Sequence, residues 1–436
     1  MHARDFLEID YILLLAAIVL TVFGVCFIYS SAVTSSGVLT SDEYIRQIFW
    51  ASGGIVFAVI LAMINYRRLR DICVYIYLGT LALLLYTCLF GRVVHSARAW
   101  IGIGAFGIQP SEFAKITTIV FLARYLDDTR RNSNHFSRLL ISCLIVFIPM
   151  GLILMQPDFG TSLVYIPILL VMTFVAGISM RYVLFLSISI ALTGFLMVLP
   201  IWQTYILQNT LPSIMFLTNI RLIGVCILVL TVVAGIALFG YVKYKKEYFY
   251  WIVYAVALIA FSLGASFLVR KVLKEYQIMR LIVFLNPNID PRGAGWHIIQ
   301  SITAIGSGGL TGKGYLQGTQ SHYRFLPTQS TDFIFSIFSE EWGFLGGVLV
   351  FFLFLLICLR LVRIARLTPD YFGAYITTGL SVMYIFHFLV NVGMTMGIMP
   401  ITGIPLLFMS YGGSSIISAM TGIGLSLSVH VRRFEH

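Results

Sequence analysis

Between Glu275 and Asp332, Asp290 is the only acidic residue. It lies in NPNIDPRGAGWHIIQSITAIGSGG, residues 286 to 309, between Pro287 and Pro291 and ahead of a run of glycines. Arg280, Arg292, Lys313 and Arg324 are the basic residues of the same stretch, and His297 and His322 can add to them. One carboxylate among several cations suits an anionic substrate and a single general base. Glycoside hydrolysis normally uses two carboxyls, because an alcohol leaving group has to be protonated as it departs. A sugar diphosphate has no such need: its leaving group is already a stable anion, and cations stabilise the charge that develops. A structural role fits the same residue, since Asp before Pro opens turns and caps helices, here a helix starting near Gly295.

Four further stretches carry polar residues that chemistry can use. In RAWIGIGAFGIQPSEFAK, 98 to 115, Pro110 and Ser111 mark a helix start, and Glu112 and Lys115 share a face at i,i+3 spacing. Charges there are costly unless they face a polar cavity. They form either an internal ion pair that orients helices or, with Arg98, a phosphate-facing set beside Trp100, a platform for a sugar ring or lipid head group. In QPDFGTS, 156 to 162, Asp158 either caps a helix or lines the same outward cavity. In FLPTQSTDFIFSIFSEEWG, 325 to 343, a cap at Ser330 or Thr331 would start a helix placing Asp332 and Ser336 one turn apart, Glu340 about a quarter-turn away and Glu341 opposite. Buried in an interior, such acids point to a site; at an interface they need not. In GIMPITGIPLLFMSYGGSS, 397 to 415, Pro400 and Pro405 with glycines break the start of the final helix, which is tolerated at depth only where protein or a cavity surrounds it. His387 and Asn391, one turn apart on the preceding helix, read as hydrogen-bonding groups between helices.

The elements that must position these residues follow from composition. The 436 residues are 59% hydrophobic and 11% charged, with a mean hydropathy of +0.93, the profile of an all-α polytopic membrane protein. Runs long enough to cross about 30 Å of hydrocarbon fall at 11 to 31, 47 to 65, 72 to 90, 110 to 126, 139 to 156, 161 to 179, 183 to 202, 222 to 242, 249 to 268, 341 to 361, 372 to 391 and 404 to 430, which predicts twelve spans. The first run is too long for a cleaved signal and should remain as a helix. Short loops on one side carry YRRLRD, DDTRRNSNHFSR, Arg181, KYKKE, RLVRIAR and VRRFEH, so that side is cytoplasmic and holds both termini. The long segment 269 to 340 with Asp290 then lies outside. The six cysteines sit in apolar runs without a CxxC pair and read as core residues. No nucleotide-binding loop or nucleic-acid-binding domain is apparent.

Together and in this order, the five stretches resemble the SEDS family of cell-wall proteins, and GLTGKGYLQGTQS within the first resembles its RodA-like, rod-shape branch more than the division and sporulation branches. The resemblance covers nearly the whole chain except about 203 to 268. SEDS proteins usually have ten spans, so the resemblance implies an inserted helical pair there, joined by KYKKE. It further implies a peptidoglycan glycosyltransferase that polymerises lipid II at the outer face of the bacterial cytoplasmic membrane during elongation. By the DPxGAG context the family's essential aspartate maps onto Asp290, which would activate the GlcNAc 4-hydroxyl of the incoming lipid II. Substrate contacts are then expected from Arg98, Trp100, Glu112, Lys115, Asp158, Arg292, Lys313, Asp332 and Glu340. A class B penicillin-binding protein and the rod-elongation complex are implied partners. A divalent cation, magnesium or manganese, would fit the diphosphate, although the sequence has no carboxylate cluster to hold it. The competing readings are a transporter, in particular a lipid II flippase, and a non-catalytic scaffold for a penicillin-binding protein.

Overall fold

The computed structural model of the chain describes residues 9–94, 97–103, 106–207, 214, 216–273, 275–291, 293–326 and 328–434. The chain runs through α1 (Tyr11–Ala32), α2 (Glu43–Met63) and α3 (Arg67–Phe90), then β1 (Arg92–Val94), β2 (Ala97–Ile103) and β3 (Phe106–Ile108). It continues through α4 (Pro110–Asp128), α5 (His135–Met155), α6 (Phe159–Leu163), α7 (Tyr165–Val175) and α8 (Met180–Trp202). After a π-turn at Gln203–Leu207 and a 3-10 turn at Phe216–Thr218 come α9 (Ile220–Tyr244), α10 (Glu247–Val272), α11 (Glu275–Leu285) and α12 (Ala294–Ser307). The last helices are α13 (Thr319–His322), α14 (Ile334–Leu367), α15 (Tyr371–Thr395) and α16 (Gly413–Val431). Apolar runs become helices because in hydrocarbon every backbone N–H and C=O must find its partner within the segment. Their starts are marked by side chains: Asp10 accepts the Leu13 N–H at 3.1 Å, Asn134 that of Ser137 at 3.1 Å, and Asn219 that of Arg221 at 3.0 Å.

The fold is helical and polytopic, with three departures from the sequence expectation. Ten helices among the described residues are long and apolar enough to cross a membrane. The two remaining predicted spans are present in altered form: α4 carries Glu112, Lys115, Arg124, Asp127 and Asp128, and the 161 to 179 run is split into α6 and α7. Strands β1, β2 and β3 form an antiparallel sheet in the order β1-β2-β3, with Arg98 opposite Val93 and Ile101 opposite Ile108. Trp100, Ile101 and Ile103 favour extended backbone, and the interspersed glycines disfavour a helix. The predicted outer segment 269 to 340 is trimmed by α10 and α14, which reach Val272 and begin at Ile334.

The chain forms two compact units, Met1–Ile178 with His297–His436, and Ser179–Trp296. In the first, α15 and α16 are the most deeply buried spans. In the second, α10 packs against both α8 and α9. Ser262 on α10 donates to the Ser189 carbonyl on α8 at 3.3 Å, and the Arg181 guanidinium lies 5.5 Å from the Tyr250 ring centroid. The predicted helices at 222 to 242 and 249 to 268 correspond to α9 and α10.

Candidate active site

Asp290 ends a 3-10 turn, Pro287–Ile289, that leads from α11 toward α12. The Asx-type bond of this turn belongs to Asn286, whose side chain accepts the Asn288 N–H at 3.1 Å. Asp290 closes the next turn with its main-chain carbonyl, which accepts the N–H groups of Gly293 at 3.3 Å and Gly295 at 3.1 Å. Its side chain is half-buried. Crowding requires glycine at 295, where a Cβ would run into the carbonyl oxygens of Pro287 and Asp290, whereas a Cβ on Gly293 would meet only the Asp290 side chain, 2.8 Å from its Cγ. Arg292 lies outside the described residues.

In the first unit, four of the sequence motifs are joined by hydrogen bonds. Asp158 caps α6, accepting the Thr161 N–H at 3.1 Å and hydroxyl at 2.7 Å, and it also accepts the Gln109 side chain at 2.8 Å. The Gln109 N–H donates to the Ser414 hydroxyl at 2.8 Å. Asp158 thus ties the strand-to-α4 junction to α6, and Ser414 ties it to α16. Beside this junction, β2 carries an exposed Arg98 and a half-buried Trp100 whose ring lies over Gly107.

Lys115 and Glu112 turn inward. Lys115 is 1% exposed, and its ammonium lies 2.9 and 3.0 Å from the two Glu112 carboxylate oxygens and 3.0 Å from His387 Nε2. Three acceptors take the three ammonium protons, so Glu112 and Lys115, for which substrate contact was expected, form an interior ion pair. His387 Nδ1 lies 3.1 Å from the Pro405 carbonyl. A carbonyl only accepts, so Nδ1 carries the proton and Nε2 receives one from Lys115.

The same device suspends the irregular segment before α16. Asn391 donates to the carbonyls of Ile404 at 2.8 Å and Asp332 at 3.0 Å. Gln47, fully buried on α2, donates to the Ser410 carbonyl at 3.2 Å and accepts the Gly412 N–H at 3.1 Å. These side chains replace the helix ladder, which lets a non-helical segment exist at membrane depth. Gln47 went unread in the sequence; its only signal was a lone amide inside an apolar run.

Asp332 is not on a helix with Ser336, as the capping residues had suggested. α14 begins at Ile334 without a side-chain cap, and Asp332 sits half-buried in the preceding turn. Glu340 is fully buried, and its Oε1 accepts from Lys313 Nζ at 2.7 Å, the Thr319 N–H at 2.8 Å and the Gln320 N–H at 3.0 Å. Through these bonds Glu340, expected to touch substrate, anchors the loop that carries Lys313, which remains about a quarter exposed at 27%. Glu341, expected on the opposite side, is also fully buried and accepts the Leu316 N–H of the same loop at 3.1 Å. A bend at Gly343, φ +65°, separates this first turn pair from the rest of α14. Among the described residues no three His, Cys, Asp or Glu side chains converge as metal ligands, so no reaction step is assigned to a cation.

A sequence model of the cell cycle protein family that spans FtsW, RodA and SpoVE matches residues 10–219 and 201–435. The peptidoglycan glycosyltransferase RodA of Treponema pallidum is 49% identical over 433 residues, covering 99% of this chain and 100% of the relative. Peptidoglycan glycosyltransferase MrdB of Escherichia coli K12 is 31% identical, covering 98% of this chain and 95% of the relative. A chain from a peptidoglycan synthase complex that coordinates polymerization and crosslinking superposes with a TM-score of 0.67 at 25% identity, covering 98% of this chain and 99% of that one. The crystal structure of the rod shape determining protein RodA of Thermus thermophilus gives 0.61 at 24% identity, covering 98% of each chain.

Proposed function

The chain belongs to the FtsW, RodA and SpoVE family, and from that membership we infer that it is a peptidoglycan glycosyltransferase whose substrate is lipid II and whose chemistry runs at the outer face of the cytoplasmic membrane. The glycosyltransferase activity is that of its RodA and MrdB relatives. The observation that supports the mechanistic reading is the turn that holds the half-buried Asp290 between a 3-10 turn and α12, closed by its own main-chain carbonyl.

In this reading Asp290 accepts the proton of the GlcNAc 4-hydroxyl of the incoming lipid II. The oxygen attacks the anomeric carbon of the growing strand, the new C–O bond forms, and the bond to undecaprenyl diphosphate breaks. The diphosphate leaves as an anion, so no second carboxyl is needed. Arg98 and Lys313, both reachable from solvent, and Arg292 meet phosphate charge, and Trp100 offers a face to a sugar or head group. Asp158 and Asp332 border the substrate. Helices α9 and α10 are an accessory insertion. A class B penicillin-binding protein crosslinks the product within a rod-elongation complex, in line with the relative found in a synthase that couples polymerization to crosslinking.

The test is polymerisation of lipid II by the purified protein with its penicillin-binding partner. Asp290→Asn should fold and bind lipid II but lose on the order of 10²–10⁴-fold in rate, the usual contribution of a positioned base. Unimpaired strand synthesis by that variant would refute the assignment.

A further inference from the structure

The outer loop from Gly308 to His322 rests on α14 at two consecutive glutamates whose charges are balanced differently. The contact is close: the N–H groups of Lys313 and Gly314 donate to the carbonyls of Glu340 and Glu341 at 3.1 and 3.0 Å. Glu340 has the Lys313 ammonium at 2.7 Å as its counter-charge. Glu341 has none of that kind. It receives the Leu316 N–H through Oε2 and the Ser30 hydroxyl through Oε1, both neutral donors. Among the described residues the only basic group within ion-pair distance is His322, with Nε2 3.8 Å from Oε1.

His322 is 7% exposed, and its Nδ1 lies 2.6 Å from the Val33 carbonyl. Because a carbonyl only accepts, Nδ1 carries a hydrogen, and a hydrogen on Nε2 would make the ring a cation. Nε2 is buried without a hydrogen-bond partner among the described residues. A buried carboxylate without a counter-charge is strongly disfavoured, and a proton on Nε2 supplies one. We propose that Glu341 and cationic His322 form a buried ion pair that positions the 308–322 loop, and with it Lys313, on the end of α1.

The rest of the loop's outer attachment agrees with this role. The Ser35 N–H donates to the His322 carbonyl at 3.2 Å, and the Tyr315 hydroxyl donates to the Cys26 carbonyl at 2.9 Å. The Glu340–Lys313 pair therefore fixes one part of the loop to α14, and the Glu341–His322 pair fixes the other to both α14 and α1. The functional half of the proposal rests on the reading of Lys313 as a phosphate contact.

The experiment compares H322Q, E341Q and the H322Q/E341Q double variant of the full chain with its penicillin-binding partner, reading hydrogen exchange of residues 308–322 together with KM and kcat for lipid II. H322Q leaves the Glu341 carboxylate buried without its counter-charge, and E341Q removes the partner that holds the proton on His322 Nε2 and so breaks the pair, so in both exchange should rise and KM should increase about tenfold with a smaller change in kcat. The double variant removes both charges and should return both readouts to within about threefold of the unaltered protein. Wild-type behaviour of H322Q, or a double variant as impaired as the sum of the singles, would overturn the pair. If E341Q fails to fold, H322Q against the double variant carries the same comparison. Restored exchange with an unmoved KM would overturn the positioning of Lys313. The exchange measurement does not depend on catalysis, so an inactive Asp290 mechanism and a failed ion pair give different results.

Discussion

Replacing Lys115 by Met separates two roles that its sequence context allows. The side chain is 1% exposed and Glu112 3%. Its ammonium is shared among the two Glu112 oxygens at 2.9 and 3.0 Å and His387 Nε2 at 3.0 Å. Methionine fills most of the volume but leaves the Glu112 carboxylate buried without its partner and His387 Nε2 without a donor. Breaking a buried pair in this way costs roughly 3–5 kcal/mol, a large share of the roughly 5–15 kcal/mol that holds a typical protein folded. The Glu112→Gln/Lys115→Met double variant removes both charges and should recover most of that loss. The assay is denaturant unfolding in detergent for both variants, with KM for lipid II measured on the folded fraction. The expected pattern is a large stability loss in the single variant, partial recovery in the double, and KM near that of the unaltered protein. A stable Lys115→Met variant with a raised KM would refute the interior assignment and restore the phosphate contact.

Three other outcomes follow from the same geometry. Gln47→Leu should destabilise by roughly 2–6 kcal/mol, because it strands the Ser410 carbonyl and the Gly412 N–H at about 1–3 kcal/mol each; unfolding curves unchanged from the unaltered protein would contradict this. Gly295→Ala should abolish polymerisation even with Asp290 intact, since a Cβ there meets the Pro287 and Asp290 carbonyls; retained strand synthesis would show that the turn tolerates rearrangement. Burial pushes the Asp10 carboxyl up, but the Arg360 bonds and the Leu13 N–H outweigh it and hold the group below its ordinary 3.8. A lowered native value means the contribution is present above 3.8 and lost as pH falls through the native value. The stability difference between the unaltered protein and Asp10→Asn should therefore be flat from neutral pH down to about 5 and shrink only below 3.8; a difference that shrinks between pH 5 and 7 would exclude Asp10 as its source.

Much of the architecture can be read from local sequence. Length and apolarity locate most spans because a helix satisfies its backbone without help from elsewhere. The turn around Asp290 is similarly local: Asn286, Pro287, Asp290, Gly293 and Gly295 meet within ten residues. The sheet at 92–108 was readable in principle from Trp100, Ile101 and Ile103, but the surrounding helical pattern hid it.

What sequence by itself determined is therefore the membrane class, most of the spans and the aspartate in its glycine-lined turn. Only tertiary structure decided which charged residues face inward. Lys115 meets His387 from 272 residues away, and Gln47 reaches Ser410 from 363. Glu340 and Glu341 both bury against one loop although consecutive helix positions point about 100° apart, because that loop folds around the start of α14 and engages both. A carboxylate or ammonium looks the same in sequence whether it awaits a substrate or already holds a distant partner. The difference lies in whether the folded chain brings enough donors and acceptors to satisfy it, and in hydrocarbon an unsatisfied charge is too costly to leave that choice open.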